Sequence, residues 1–548
     1  MTLDDTIASL VTDILDTTAA DAFHTGDDIP RIPHAPGWMP DIRPAALAAR
    51  RERIAALRAR WAAVPVGQAS PEQQVRHRLA GAIMHRAHWD LTVTRNIERN
   101  ALALYGQILG PFYDLLLPLP PFDEARQDAL VRVLAAVPGQ VAIAREHLAV
   151  SGLRDLALAA VADLDGIGER LTTAATALLP FLEVSRRDAF TAAAAAAAEA
   201  LEGWRDWLTD AAPGLAAGEP VGREKFAWFL RAVALVPDEP EDLVRVARAD
   251  LNRAVVWELL SRNRHREVPP AALFDSIGDQ VAREAAQESQ VREFYQSEGL
   301  LSQPESLRRY LVAEMPPWIE ALRSLGVPDD LTDENRLDRD GVSYMPRPRA
   351  GLPYFYAANA QDPRLGIIHE GAHYQQLALS WASTDPLRRR YIDSSANEGV
   401  AHYNEEMMLM AGLFEDAPHS QTVVHNFTRL RALRVIADVN LATGAFSLDD
   451  AVAHFVEHVP MDAGTAREES AMYLATPGLA MSYNVGKQQM LALVADAARV
   501  WGDEFSLRRI HDAVWTRGNT PFSVLRWELL GDRSAIDAID ADLARLDV

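Results

Sequence analysis

His369-Glu370-Gly371-Ala372-His373, answered 25 residues after its second histidine by Glu398, is the stretch that decides how this chain is read. Histidines at i and i+4 project from one face of an α-helix, one turn apart. Both imidazoles can therefore address a single metal ion. Glu370, beside the first histidine, stands where it can take a proton from an activated water. A carboxylate from a second helix, Glu398, would complete a His₂Glu set, the donor pattern of a catalytic zinc site with its fourth position open. The expectation is one Zn2+ per chain and a metal-dependent hydrolase. The plainer alternative is a pair of helix histidines satisfied by neighbouring side chains.

The flanking residues favour a buried helix. Leu365, Ile367 and Ile368 precede the motif, and Tyr374, Leu377 and Leu379 follow it. Ser394, Ser395 and Asn397 offer N-caps for the helix that carries Glu398. Glu405, seven residues after Glu398, shares its helix face and could orient a ligand histidine through the second ring nitrogen. A surface ion pair is the competing role for Glu405. His402 is a rival ligand, ranked below Glu398 because His₂Glu is a standard hydrolytic set. His454 and His458 are also four apart, but the intervening acid, Glu457, is wrongly placed for a general base. That pair is read as structural.

The rest of the composition narrows the chemistry. The chain has 548 residues, 49% hydrophobic and 24% charged, which is ordinary globular composition with material for a large core. A net charge of −23 without a basic run argues against nucleic acid. With no cysteine, disulfides and thiolate zinc sites are excluded. The acidic start Met1-Thr2-Leu3-Asp4-Asp5 does not read as a signal peptide. No apolar run is long enough to span a membrane. A cytoplasmic location is the simplest expectation.

Apolar spacing predicts a mainly α protein. Ile7, Leu10, Val11 and Ile14 open it with an amphipathic helix. Prolines 30, 33, 36, 40 and 44 impose an irregular segment over 28–44. Helical patterns follow over 45–63, 72–100, 122–150 and 151–180, and the alanine run Ala192–Ala198 reads as a tightly packed helix. Pro240-Glu241-Asp242 starts another helix. Near 341 the texture changes to loops with one or two short strands. Tyr354 to Ala358 is a candidate edge strand that could pair with an extended substrate. The expected architecture is a large bilobed helical, metallopeptidase-like fold with a short β element before the motif helix and a central cleft. An N-terminal helical region (1–340) and a metal-binding region (341–548) would form one integrated unit.

Further residues carry a resemblance. The metal motif, Glu398-Gly399 with Ala401, Tyr403 and Glu405, then Tyr473, Pro477-Gly478, Ala480, Ser482-Tyr483, Gly486-Lys487, and Phe505-Ser506-Leu507 through His511-Asp512 to Gly518 and Pro521 resemble the bacterial DUF885 family. The resemblance is dense over 340–525 and implies a helical zinc metallopeptidase. The spacing to Glu398 is also similar to that of the thimet-type oligopeptidases. Two departures stand out: a plain HExxH where many members have a longer motif, and Val400 where many have Trp. They leave the substrate open between a peptide and a small amide. With this resemblance, Tyr483, then His511, then Tyr473 are candidates for stabilising the oxyanion, and Lys487 for holding a substrate carboxylate. The competing expectations are a hydrolase of a small specialised metabolite, a silent binding protein on a peptidase scaffold, and an Fe(II) site.

Overall fold

Side-chain caps, prolines and apolar spacing cut this sequence into helices along nearly its whole length. The computed structural model describes residues 2–25, 34–269, 271–330, 338–391, 393–459 and 461–546. Pro30 and Pro33 of the proline-rich segment lie outside them. The fold is mainly α, and no described helix is long and apolar enough to cross a membrane. The chain groups into two compact units, Met1–Glu219 with Met315–Asp333, and Pro220–Glu314 with Glu334–Val548. These limits differ from the division at 340 drawn from sequence texture.

In the first unit, the opening helix Leu3–Ala20 buries Ile7, Leu10, Val11 and Ile14, as its spacing predicts. The alanine run lies inside the helix Val184–Ala211, which packs along Glu124–Ser151 with Ala193, Ala194, Ala197 and Ala198 buried. Small side chains let these two long helices approach closely. The expected helix over 72–100 is interrupted. It runs from Pro71 to His88, passes through a π-helical turn at Trp89–Thr94, and breaks at Arg95, whose φ is +54°.

The second unit carries the metal motif. Helix α1 (Pro240–Arg264) starts at the proline as expected. Strands β1 (Tyr310–Glu314) and β2 (Gly341–Met345) pair in parallel, Tyr310 opposite Gly341. Parallel strands need a long crossover, supplied here by the 26 residues 315–340. Tyr310 stacks on Tyr374, so the strand backs the motif helix. The Tyr354–Ala358 edge strand is not formed. Tyr354–Asn359 is a short helix, α2, with Pro353 at its N-cap and its carbonyl accepting from Ala357 N at 2.9 Å. Proline followed by Ala357-Ala358 outweighs the strand preference of the Tyr-Phe-Tyr aromatics.

The longer helices that follow are α3 (Glu370–Trp381), α4 (Ser394–Met410), α5 (Pro418–Thr443), α6 (Leu448–His458) and α7 (Ala463–Ala475), with α6 and α7 packed on α5 in a second apolar cluster. Then come α8 (Ser482–Trp501) and α9 (Leu507–Trp515). Ala372, Ala396, Val400, Ala401, Met490 and Trp515 share another apolar cluster. Helices α4 and α8 pack closely because glycine meets glycine. A Cβ on Gly399 would lie 2.4 Å from Gly486 Cα, closer than any real contact.

Candidate metal centre

The motif helix begins inside the motif. His369 is the N-cap residue of α3 and Glu370 its first helical position. His373 N donates to His369 O at 3.3 Å, which stacks the two histidines one turn apart. Their rings lie edge to face with centroids 5.0 Å apart. Helix α4 is capped by Asp393, which accepts from Ala396 N at 2.9 Å, rather than by the predicted Ser394, Ser395 or Asn397. The cap fixes the first turn, from which Glu398 reaches the histidines.

Glu398 Oε2 lies 3.5 Å from His369 Nε2 and 3.4 Å from His373 Nε2, and it receives no well-aligned hydrogen bond. The donors of a tetrahedral zinc site, at 2.0–2.2 Å from the ion, stand roughly 3.4 Å from one another. Among the described residues, His369, Glu370 and His373 also form a group whose ligand atoms all lie within 4.8 Å. Burial would raise the Glu398 carboxyl, but His373 and His369 outweigh it and hold it well below the usual range.

The other ring nitrogens face polar partners. His369 Nδ1 lies 2.8 Å from Glu405 Oε1. His373 Nδ1 lies 3.2 Å from Asn397 Oδ1, an oxygen that also accepts from Asn519 Nδ2 at 3.1 Å. At His373 the amide oxygen accepts, so Nδ1 carries the proton and Nε2 can present a lone pair, while His369 Nδ1 faces both the Glu405 carboxylate and Arg431 Nη2 at 3.3 Å. Two imidazole nitrogens and a carboxylate oxygen at this spacing can hold a cation between them. The donor set therefore fits zinc by type and distance.

Glu405 takes the orienting role rather than a surface ion pair. It is 1% exposed and binds Arg431 Nη1 at 2.8 Å through Oε2. Burial would raise its carboxyl, yet Arg431 and His369 keep it ionised, far below the usual range. His402 turns its Nδ1 to the same Glu405 oxygen at 3.1 Å, and no contact joins it to the ligand atoms. Burial, then the Lys487 charge, push its pKa down to about 4.

Tyr483 is brought to the site. Its ring lies parallel to that of His369 at 6.4 Å, and its phenol is near enough to Glu398 to feel that carboxylate's charge. Burial first, then the Glu398 charge, raise the phenol well above its ordinary value, so it stays protonated. Its helix starts where it does because of buried Asp438, which accepts from Gly478 N at 2.9 Å and Met481 N at 2.8 Å. Burial pushes the Asp438 carboxyl up to about 7 against those N–H groups. Gly478 has φ +91°, and a Cβ there would strike the Phe229 ring at 2.3 Å.

The other candidates stand elsewhere. His511 is fully buried, with Nδ1 2.8 Å from Leu300 O and Nε2 2.9 Å from the Tyr403 hydroxyl. Both its nitrogens are committed to the core. Tyr473 donates its hydroxyl to Glu469, which also binds Arg434 Nε at 2.9 Å. Lys487 is wholly buried between Asp250 Oδ2 at 2.7 Å and Glu406 Oε2 at 2.8 Å, so its charge is already answered. His458 Nδ1 turns back to His454 O at 2.9 Å, in keeping with a structural pair. Arg431, Arg434, Asp438, Asn397 and Asn519 are functional neighbours the motifs did not reveal. A basic residue repeated at i and i+3 among Leu430, Leu433 and Ile436 was the available signal.

The same fold occurs in solved structures. A "putative lipoprotein" from Colwellia psychrerythraea superposes with a TM-score of 0.74 at 15% identity, over 99% of this chain and 100% of that one. A "putative lipoprotein of unknown function" from Shewanella oneidensis superposes with a TM-score of 0.69 at 14% identity, over 97% of this chain and 100% of that one. At such identities the likeness concerns the fold alone. A comparison with curated proteins finds no match. The family comparison matches residues 31–529, and the chain belongs to DUF885, described as bacterial protein of unknown function.

Proposed function

We propose that this protein is a zinc-dependent hydrolase that cleaves peptide or related amide bonds. The observation that carries the reading is the approach of Glu398 Oε2 to His369 Nε2 and His373 Nε2 at 3.4–3.5 Å. A zinc ion held by these three residues would polarise a scissile carbonyl and acidify water towards ~7. Glu370, in the same group, accepts the proton of the attacking water and returns it to the leaving amine. Tyr483, protonated and beside Glu398, donates to the carbonyl oxygen as negative charge gathers there. Glu405 and Asn397 hold the ligand rings. Four groups with complementary duties favour an active enzyme over a silent scaffold. The cytoplasm remains the proposed location, which cell fractionation tests.

Metal analysis and turnover test the reading together. Purified protein should hold about one zinc per chain, lost in His369→Ala and His373→Ala. Glu370→Gln should keep the metal and lose cleavage of a blocked peptide library. Stoichiometric iron with oxygen-dependent turnover, or full cleavage by Glu370→Gln, would overturn it.

A further inference from the structure

From exposed Tyr354 and Phe355 a series of ring and guanidinium contacts leads inward to the His369 ring. Tyr354 and Phe355 on α2 are 44% and 39% exposed. The Phe355 ring lies 5.1 Å from that of Phe427. The Arg431 guanidinium sits among three rings, 5.3 Å from Phe427, 5.4 Å from Tyr483 and 6.0 Å from Phe355. Arg431 Nη2 is in turn 3.3 Å from His369 Nδ1. The shelf is preset, since the Tyr354 hydroxyl donates to Asn426 Oδ1 at 2.5 Å and Asn426 reaches Glu258 at 3.4 Å. Paired large aromatics left open to water next to a reactive centre lose free energy unless a ligand covers them.

The charges at the site point the same way. Arg431 is bound to Glu405, Arg434 to Glu469, and Lys487 to Asp250 and Glu406. Arg253 also binds Asp250 at 2.6 Å and Glu406 at 2.9 Å. Each of these cations is thus answered by the chain's own carboxylates. A free carboxylate on a substrate would have to displace one of them, and would meet Glu370, Glu398 and Glu405 near the reacting bond. Separating a buried ion pair to accept it leaves an uncompensated charge behind.

We infer that Phe355, with Tyr354 beside it and buried Phe427 behind it, seats an apolar or aromatic side chain of a substrate segment without a terminal charge. On the hydrolase reading, on which this inference rests, cleavage is then internal to a peptide or within a blocked amide, not the trimming of a free C-terminus. Arg431 contributes the cationic face against which the rings are stacked, while its charge stays with Glu405.

Binding to the full-length Glu370→Gln protein, with and without added zinc, tests this apart from turnover. The probes are an N-acetylated, C-amidated tetrapeptide with central Phe-Phe, its Ser-Ser counterpart, and the Phe-Phe peptide with a free C-terminal carboxylate. Calorimetry should give the blocked Phe-Phe peptide at least 10-fold tighter binding than either of the others. Adding Phe355→Ala should remove most of that advantage and leave the Ser-Ser peptide unchanged, and Phe355→Leu should restore part of it. A thermal unfolding midpoint equal to that of the parent confirms folding of the variants. Equal affinity for all probes, no binding of any, tighter binding of the free carboxylate, or no effect of Phe355→Ala would overturn the subsite. Failure of the wild-type protein to hydrolyse any amide would instead sink the hydrolase reading, with the subsite still judged by binding.

Discussion

Gly399 and Gly486 touch backbone to backbone, and this contact sets how near Glu398 comes to Tyr483. A Cβ on Gly486 would lie 1.9 Å from Ser395 O, and one on Gly399 would lie 2.4 Å from Gly486 Cα. Each glycine adjoins or lies one turn from a proposed site residue. Alanine at either position must push α4 and α8 apart. Gly399→Ala should cost at least the ~1–3 kcal/mol typical of an overpacked core. Zinc retention should fall with it, since Glu398 moves with its helix. Denaturant unfolding and metal content measured on the same sample check both, and unchanged values would contradict the role given to the contact.

Glu405 is predicted to act on zinc affinity through His369. It holds the Nδ1 side of that ring at 2.8 Å and is itself held by Arg431. Loss of such a partner typically costs ~10–100-fold in metal affinity. Glu405→Gln should therefore release zinc to a competing chelator at correspondingly lower concentration. His402→Gln should change it far less, because no contact joins His402 to the ligand atoms. Equal effects of the two substitutions would argue against the distinction.

Tyr483→Phe isolates the phenol. The ring keeps its packing against His369 and Arg431, and only the hydroxyl near Glu398 is lost. Removing one donor to a developing oxyanion costs ~10²–10³ in rate. The expectation is that kcat falls by about that factor, with zinc content and KM little changed. A fall in zinc content with normal turnover per bound metal would show the hydroxyl to be a support for Glu398 alone.

Sequence spacing revealed the ligands because their geometry is local. His369 and His373 lie on one helical turn, and Glu398 sits where a second helix begins, so three of the named side chains meet as read. The supports are not local. Arg431 meets Glu405 across 26 residues from a third helix, and Asn519 meets Gln376 across 143. No spacing rule connects such pairs. Lys487 and His511 stand apart from the ligands for the same reason. Their partners, Asp250 and Leu300, come from helices and turns more than two hundred residues earlier, and only the packed core decides that a cation is already neutralised or an imidazole already bonded. The Tyr354–Ala358 strand failed locally, where Pro353 and Ala357-Ala358 start a helix that the aromatic composition hid.

His511 is predicted to serve stability, and its titration distinguishes that from catalysis. Burial pushes its pKa down to about 4, against an ordinary 6.5. The unfolded chain therefore binds more protons at this residue between those values, and unfolding free energy rises with pH across that window. The contribution is fully present above pH 6.5 and is lost as pH falls towards 4. A shift of this size corresponds to ~3 kcal/mol at the acid end. His511→Asn should unfold more easily at pH 7, because the Tyr403 hydroxyl loses its acceptor. Its stability should also decline less steeply than that of the wild type between pH 6.5 and 4, and the difference between the two curves isolates this residue from the other buried histidines. Turnover per zinc at pH 7 should stay within a few-fold of wild type. A loss of kcat of the size predicted for Tyr483→Phe, with matching pH–stability curves, would return His511 to the reacting centre.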